Sequence, residues 1–282
     1  MSVAVPALPT SGAARGRVPR IAWCLLVSIF SPAAFPAANG PPFAASAPAS
    51  AALAPPQRSG FDFMTPAVQA MQRSDAQNPA MLWVAQGSEL WKASPGPHRP
   101  ACAACHTGGM AGVSARYPAF SDELKRPVTL PQQINHCRTT RQDQPAWRHD
   151  SEALLSLAAY LGQQSRGRPI QPPQDPRLVP WQQAGEALYR LRMGQLNLSC
   201  AQCHEERAGL KLAGAVIPSG LATGYPIYRL EWQGMGSLPR RLLNCTTGVR
   251  AAPLSEDELT QVELYLMQRG RGLAVETPAV RP

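Results

Sequence analysis

Two stretches of the chain place apolar residues at the spacing of one helical face, and the two patterns match each other. Ser255 and Glu258 form a capping box in front of the second stretch, which marks the start of a helix. Each stretch is therefore predicted to be a helix with one buried face. The matching apolar positions are Leu154, Leu157, Tyr160 and Leu161 in the first stretch and Leu259, Val262, Tyr265 and Leu266 in the second.

A second pair of helices is predicted about seventy residues before each closing helix. The segment GSELW occupies 87–91, and the similar segment GEALY occupies 185–189. A Pro-rich stretch over 168–180 separates the two series of elements and is typical of a linker. The pattern predicts an internal duplication, with one domain over 48–167 and another over 181–282.

The N-terminus has the pattern of a secretory signal peptide. Arg15, Arg17 and Arg20 precede an apolar run over 21–30, small residues follow at 45–47, and the whole stretch lacks acidic residues. We predict a signal peptide over 1–47, an uncleaved anchor being the alternative. The run is short for a membrane span, so we expect no span after cleavage and a periplasmic location.

The net charge is +9, and removal of the three signal-peptide arginines leaves +6. This basicity is mild. It does not indicate a nucleic-acid partner. It is compatible with an anionic substrate or with an acidic protein surface.

Two Cys-x-x-Cys-His motifs carry the most specific chemical information in the sequence. This motif is the attachment signature of c-type haem, in which two thiols bind the porphyrin and the histidine ligates the iron. A zinc site would instead need paired Cys-x-x-Cys knuckles without a fixed histidine. We expect two covalently bound c-type haems. The attachment residues are Cys102 and Cys105, with His106 as iron ligand, and Cys200 and Cys203, with His204 as iron ligand.

The haem motifs and the helix pattern together predict the fold. Each motif lies between an early helix and a closing helix, which is the plan of a cytochrome c domain. We therefore expect a mostly α protein made of two tandem cytochrome c-like domains. The long loops, rich in proline and glycine, would wrap around covalently attached haem.

Two further cysteines, Cys137 and Cys245, follow the first and second haem motif. A cysteine thiolate can supply the sixth ligand of a haem iron, and one cysteine per haem favours this role. A Cys137–Cys245 disulfide and buried, inert thiols are the alternatives. His136 competes with Cys137 for the first iron, and Met235 competes with Cys245 for the second.

Arginines surround Cys245 in the sequence. Arg240, Arg241 and Arg250 stabilise a thiolate by their charge, and a guanidinium also binds an oxyanion such as a sulfonate through two hydrogen bonds. Arg241 lies one helical turn before Cys245, which favours a substrate contact. For Arg250, pairing with a haem propionate is an equal alternative.

The chain resembles the SoxA family. SoxA proteins are the larger haem subunits of SoxAX cytochromes, the L-cysteine S-thiosulfotransferases of bacterial sulfur oxidation. The resemblance covers nearly all of the mature chain. It departs from the family at Ala252, where a glutamate is usual, and in the loop over 217–223. The segments that carry it are SGFDF at 59–63, INHCR at 134–138, GYPIYR at 224–229 and GVRAAP at 248–253.

The resemblance implies a specific chemistry. Cys137 would complete the first haem, and Cys245 would complete the second and react as a persulfide. Arg241 matches the substrate-binding arginine. The implied partners are the monohaem cytochrome SoxX, the carrier protein SoxYZ with its reactive cysteine, and a cytochrome c that accepts two electrons. The implied reaction joins thiosulfate oxidatively to the carrier cysteine.

Two other functions remain open from the residues alone. A dihaem electron-transfer cytochrome c would use His/Met iron and would need no reactive Cys245. A thiosulfate dehydrogenase would join two thiosulfates to tetrathionate without a protein carrier. A dihaem peroxidase fits less well, because it requires an open iron site.

Overall fold

The computed structural model describes residues 57–282, and the signal peptide expected over 1–47 lies outside them. No helix within 57–282 is long and apolar enough to cross a membrane. The helices are α1 Pro66–Arg73, α2 Met81–Lys92, α3 Cys102–Cys105, α4 Leu130–Arg141, α5 Glu152–Gln163, α6 Val179–Arg190, α7 Cys200–His204, α8 Leu238–Gly248 and α9 Glu256–Arg269. The strands are β1 Ala119–Ser121, β2 Arg126–Val128, β3 Lys211–Leu212, β4 Ala215–Val216, β5 Ile227–Arg229, β6 Gly234–Gly236 and β7 Ala279–Arg281.

Two helix pairs, α2 with α5 and α6 with α9, form the framework of the described chain. Each pair crosses at a glycine. A Cβ atom added to Gly87 would lie 2.0 Å from the carbonyl oxygen of Ser156, and one added to Gly185 would lie 2.0 Å from that of Gln261. Only glycine permits so close an approach of two helix backbones. The four predicted helices are thus confirmed, as is the mostly α fold.

The connecting elements also repeat between the halves. In each half a short antiparallel hairpin, β1–β2 or β5–β6, is followed at once by a helix, α4 or α8. Thr129 caps α4 and Ser237 caps α8, and a Leu-Pro pair opens both helices. Cys137 and Cys245 are each the eighth residue of their helix. The predicted capping box of Ser255 and Glu258 is present at the start of α9.

The halves share one of their apolar clusters. Met235 of the β5–β6 hairpin is buried against Val84 of α2 and Leu155 of α5. The rings of Trp83 and Tyr228 meet edge to face beside it, with centroids 5.8 Å apart. The C-terminal strand β7 then pairs in parallel with β5. A hairpin of the second half therefore completes the core of the first.

The Pro-rich segment over 168–180 is anchored along its length. The amide of Ile170 donates to the carbonyl of Leu273 at 2.8 Å, and the Ile170 side chain is buried in the second half. The amide of Gln171 donates to Ala115 of the first half at 2.8 Å. The last two residues already belong to α6. The described residues, 57–282, belong to one compact unit, and the division into two domains stays a prediction.

Candidate functional site

The second haem motif forms helix α7, whose conformation is fixed by local signals. Ser199 caps the helix in a capping box with Gln202. His204, at the end of α7, donates a hydrogen bond from Nδ1 to the carbonyl oxygen of Pro218 at 2.8 Å. This bond fixes the tautomer and leaves Nε2 unprotonated, as ligation of a metal requires.

The loop over 217–223 holds the His204 ring from one side. Gly220 has φ +67°, and a Cβ atom at this position would lie 2.8 Å from the Cβ of His204. Burial lowers the pKa of His204 below its usual value. The hydrogen bond to Pro218 opposes this shift, and the nearby charge of Arg241 adds to it. The loop therefore orients His204 and favours its neutral, metal-binding form.

Helix α8 brings Cys245 and Arg241 to the same site. The side chains of Cys200, Tyr225 and Leu242 pack against one apolar cluster in the second half. Burial, with a smaller contribution from the charge of the neighbouring Cys245, raises the pKa of Cys200 to about 11. Burial likewise raises the pKa of Tyr225 to about 12, opposed by the charge of Arg241. The predicted residues of the second haem site are thus neighbours in space.

The three arginines near Cys245 differ in their contacts. Arg240 stacks on the ring of Trp232, 4.2 Å from its centroid, and Arg250 lies at the surface, 3.4 Å from the amide oxygen of Gln195. Among the ion pairs that the C-terminal half of the described chain contributes, none includes Arg241. A charged guanidinium one turn from a thiol, without a carboxylate partner there, can bind an anion.

Met235, the alternative ligand for the second iron, lies elsewhere. Its side chain is buried between β6 and helices α2 and α5 of the first half. The cluster around Cys200 contains Leu242 and Tyr225 but not Met235. This placement favours Cys245 as the second axial ligand.

The first haem motif lies in helix α3. The His106 ring lies near Trp91 of α2, with ring centroids 5.6 Å apart. Cys137 of α4 is close enough to Cys102 that its charge contributes to the raised pKa of Cys102, after the larger effect of burial. The amide nitrogen of Gln133 lies 3.5 Å from the Cys137 sulfur. Gln133 is the fourth residue of α4, the place that Arg241 has in α8.

His136, the alternative ligand for the first iron, has another partner. Its Nε2 atom contacts the carboxylate of Glu123, which also pairs with Arg141 at 3.1 Å. The nearby His136 lowers the pKa of Glu123, and Arg141 lowers it further. His136 therefore belongs to a hydrogen-bonded network with Glu123 and Arg141, which favours Cys137 as the ligand.

The six cysteines within 57–282 are free, so Cys137 and Cys245 are not joined in a disulfide. No group of three or more His, Cys, Asp and Glu side chains in this part of the chain is placed to hold a metal ion. A haem iron requires at most two protein ligands, because the porphyrin supplies the other four.

The residues present fit a covalently bound haem in each half. Each half offers a Cys-x-x-Cys-His motif on a short helix or at its end, and a thiol on the helix after the hairpin. Two buried guanidinium nitrogens, Nε of Arg138 and Nε of Arg229, have no hydrogen-bond partner within the described chain. Such donors suit the propionates of a haem. Arg138 also stacks on Trp147, 3.6 Å from the ring centroid.

Several residues of the sites were not identified from the sequence. Pro218 acts through its backbone carbonyl, which no side-chain pattern reveals. Gln133 and Tyr225 belong to no recognisable sequence motif, so only a comparison of the two halves identifies them as site residues. Gly220 was identifiable in part, because a glycine in a loop near a haem motif suggests a close approach.

Comparison with known proteins extends these observations. Residues 86–170 match the family model of the SoxA/TsdA cytochrome c domain. The chain is 36% identical to L-cysteine S-thiosulfotransferase subunit SoxA of Pseudaminobacter salicylatoxidans over 229 residues, covering 79% of this chain and 80% of the relative. It is 33% identical to the Paracoccus pantotrophus subunit, covering 79% and 78%.

A solved structure is also similar. The crystal structure of SoxXA from P. pantotrophus matches with a TM-score of 0.77 and 32% identity, covering 80% of this chain and 87% of that one. The cytochrome c domain establishes covalently bound c-type haem as the cofactor. Identity above 30% over four fifths of the relative establishes the family. The chain belongs to the SoxA family of L-cysteine S-thiosulfotransferase subunits.

Proposed function

We propose that this protein is the dihaem subunit of an L-cysteine S-thiosulfotransferase. It would conjugate thiosulfate oxidatively to a cysteine of the carrier protein SoxYZ and pass two electrons to a cytochrome c. The observation that carries the proposal is the pair Arg241 and Cys245, one turn apart on α8, beside the haem-attachment residue Cys200. The first half has the neutral Gln133 in place of the arginine.

The difference between the halves assigns their roles. Both halves present a histidine and a cysteine to an iron, which suits electron transfer. Only the second half adds a guanidinium that can hold the sulfonate end of thiosulfate. We therefore assign catalysis to the second half and electron storage to the first.

The proposed chemistry balances in two steps. The terminal sulfur carried by Cys245 forms a bond to the outer sulfur of thiosulfate, and two electrons leave. The carrier cysteine, as a thiolate, then attacks that outer sulfur and takes it with its sulfonate group. The bond to the sulfur carried by Cys245 breaks, and the Cys245 persulfide leaves as the anion. Bound haem supplies a one-electron acceptor, so two haems accommodate both electrons. Arg241 orients the dianion and offsets its charge.

The partners follow from the family. The P. pantotrophus relative was crystallised as SoxXA, and we propose a corresponding monohaem SoxX subunit for this chain. Covalent haem and the expected signal peptide over 1–47 support a periplasmic location. SoxYZ and the cytochrome c acceptor are proposed from the resemblance to the SoxA family.

Replacement of Cys245 by serine tests the function. Cys200 and Cys203 are unchanged, so haem attachment should persist. Conjugation of thiosulfate to the carrier cysteine, followed by the mass of the carrier, should be abolished. Near-normal conjugation by Cys245→Ser would contradict the proposal and favour an electron-transfer cytochrome.

Two control measurements separate the alternatives. Tetrathionate formation from thiosulfate alone, without the carrier, would indicate a thiosulfate dehydrogenase. The mass of the purified mature chain tests the haem count, because each covalent haem adds its own mass. A mass consistent with one haem would contradict the dihaem assignment.

A further inference from the structure

A cavity of about 90 Å³ lies at the seam between the two halves. The two apolar clusters that pack against Cys102 and Cys200 both contribute to its wall, through residues such as Leu154 and Leu238. None of the cysteines and histidines of the haem motifs lines it. The cavity therefore lies between the two haem sites and belongs to neither.

Glu263 places a carboxyl group at this cavity. It lies on the face of α9 that turns toward the first half. On the same face, one and two turns earlier, Thr260 and Glu256 accept hydrogen bonds from the Gln132 amide at 3.3 Å and 2.9 Å. Glu263 itself has no hydrogen bond or ion pair within the described chain. Burial alone raises its pKa to about 7.

A second polar group in the cavity also lacks a partner. The hydroxyl oxygen of Ser114 is buried without a hydrogen bond, and Ser114 lines the same cavity. The buried Ser114 hydroxyl and the Glu263 carboxyl are polar groups without partners in a wall that is otherwise mostly apolar. A cavity of about 90 Å³ has room for several water molecules, which can carry protons to Glu263.

The residue equivalent to Glu263 in the first half is apolar. The two helix crossings make Ser156 equivalent to Gln261 and Tyr160 equivalent to Tyr265. In this alignment of the halves, Ala158 of α5 is the equivalent of Glu263. Ala158 is buried and lines the same cavity. An alanine satisfies the packing at this point of the fold. The carboxyl group is an addition of the second half.

The other titratable groups around the cavity do not neutralise Glu263. The Asp150 carboxylate accepts the backbone amide of Ser237 at 2.9 Å, and His149 lies exposed at the surface. Burial raises the pKa values of Tyr117 and Tyr225, so both phenols stay neutral. The charged residues at the ends of α9 are paired elsewhere: Glu256 and Asp257 with Arg126, and Arg269 with Glu205.

We propose that Glu263 is a proton-binding site coupled to the oxidation state of the chain's haems. It takes up one proton from solvent, through the seam cavity, when an iron gains an electron, and it releases that proton when the electron leaves. The electron comes from the sulfur–sulfur bond formation of the proposed function, and the proton converts the carboxylate to the acid. Each cycle of one electron and one proton leaves the net charge between the haem sites unchanged.

The physical reason is the low dielectric of the seam. An added electron makes the electrostatic potential at the half-buried Glu263 carboxylate more negative, and the mostly apolar wall of the cavity screens this change less than bulk water would. Protonation removes that repulsion. Because the group titrates near neutral pH, a modest change of potential suffices to change its protonation.

The experiment is a potentiometric titration of the holoprotein, followed in the haem absorption bands at a series of pH values from about 5.5 to about 8.5. In the wild type, at least one midpoint potential should fall as the pH rises through this range. In Glu263→Gln, which keeps the shape but cannot ionise, this dependence should be lost. An unchanged pH dependence in Glu263→Gln overturns the proposal.

Glu256→Gln is the matched control, because Glu256 lies on the same helix face but is exposed and paired. This variant should keep the wild-type pH dependence. A second experiment needs only the wild type: the infrared difference spectrum between the oxidised and the reduced protein detects protonation of a carboxyl group. It should contain the carbonyl band of a protonated carboxyl, and its absence overturns the proposal whether or not a variant folds. The inference rests on the proposed haem in each half, but the same titration counts the haems separately from their pH dependence.

Discussion

Gly185, at the crossing of α6 and α9, allows a prediction about stability whose direction and magnitude both follow from the packing of the two helices. In Gly185→Ala the new Cβ atom would lie 2.0 Å from the carbonyl oxygen of Gln261 and 3.0 Å from the Cβ of Tyr265. Ordinary contact begins near 3.4 Å, so one helix must move by about 1.4 Å. Because the nearest atom is backbone, no side-chain rotation can relieve the overlap.

Two opposing effects set the magnitude. Overpacking against a backbone atom lowers the free energy of unfolding by about 3 kcal/mol or more, which is large for a substitution in a protein core. The alanine regains about 1 kcal/mol of helix propensity relative to glycine. The net loss is therefore about 2 kcal/mol of unfolding free energy. For a chain of this size we expect a fall in Tm of about 4–8 °C.

The assay is thermal unfolding of the holoprotein followed by far-ultraviolet circular dichroism. Gly87→Ala, at the matching crossing of the first half, should lose a similar amount. Gly248→Ala is the control, because an added Cβ atom there meets nothing within 4 Å. It should raise the Tm slightly or leave it unchanged. Equal Tm values for Gly185→Ala and the wild type would refute the packing argument.

Three further predictions concern the sites. Cys137→Met should shift the first haem toward a His/Met spectrum and raise its potential, whereas His136→Ala should leave that spectrum unchanged; the reverse result would make His136 the ligand. Arg241→Ala should lower kcat/KM for thiosulfate roughly ten- to a hundredfold, by loss of a charged contact worth about 1.5–3 kcal/mol, and Arg241→Lys should recover only part; equal kinetics of all three proteins would exclude a substrate contact. Burial raises the pKa of Glu263 from 4.5 to about 7, so the folded protein favours the protonated carboxyl. This contribution to the free energy of unfolding is fully present below about pH 4.5 and is lost as the pH rises through 7. Above pH 7, Glu263→Gln should therefore gain up to about 3 kcal/mol relative to the wild type in urea unfolding, and a gain that is equal at every pH would contradict the assignment.

The sequence predicted the elements whose signals are local. The closing helices α5 and α9 follow from apolar spacing, the start of α9 follows from its capping box, and the haem motifs are contiguous. These features depend on residues within a few turns of each other, so no tertiary information is needed.

The features that the sequence could not predict depend on contacts between distant segments. The hairpins are only three residues per strand, too short for a recognisable alternation. Glu263 is one of several acidic residues on α9, and only the packing of the first half against that helix separates it from the exposed ones. Met235 was an open candidate for the second iron until the structure showed its side chain packed against α2 and α5 of the first half.

The packing of the β5–β6 hairpin against the first half has a consequence for the inheritance of the chain. Met235 fills a cluster with Val84 of α2 and Leu155 of α5, so a gene that lost the second half would encode a first half with an unfilled core. A gene that lost the first half would expose the hairpin's apolar face to solvent. Selection for a stable protein therefore acts on both halves together.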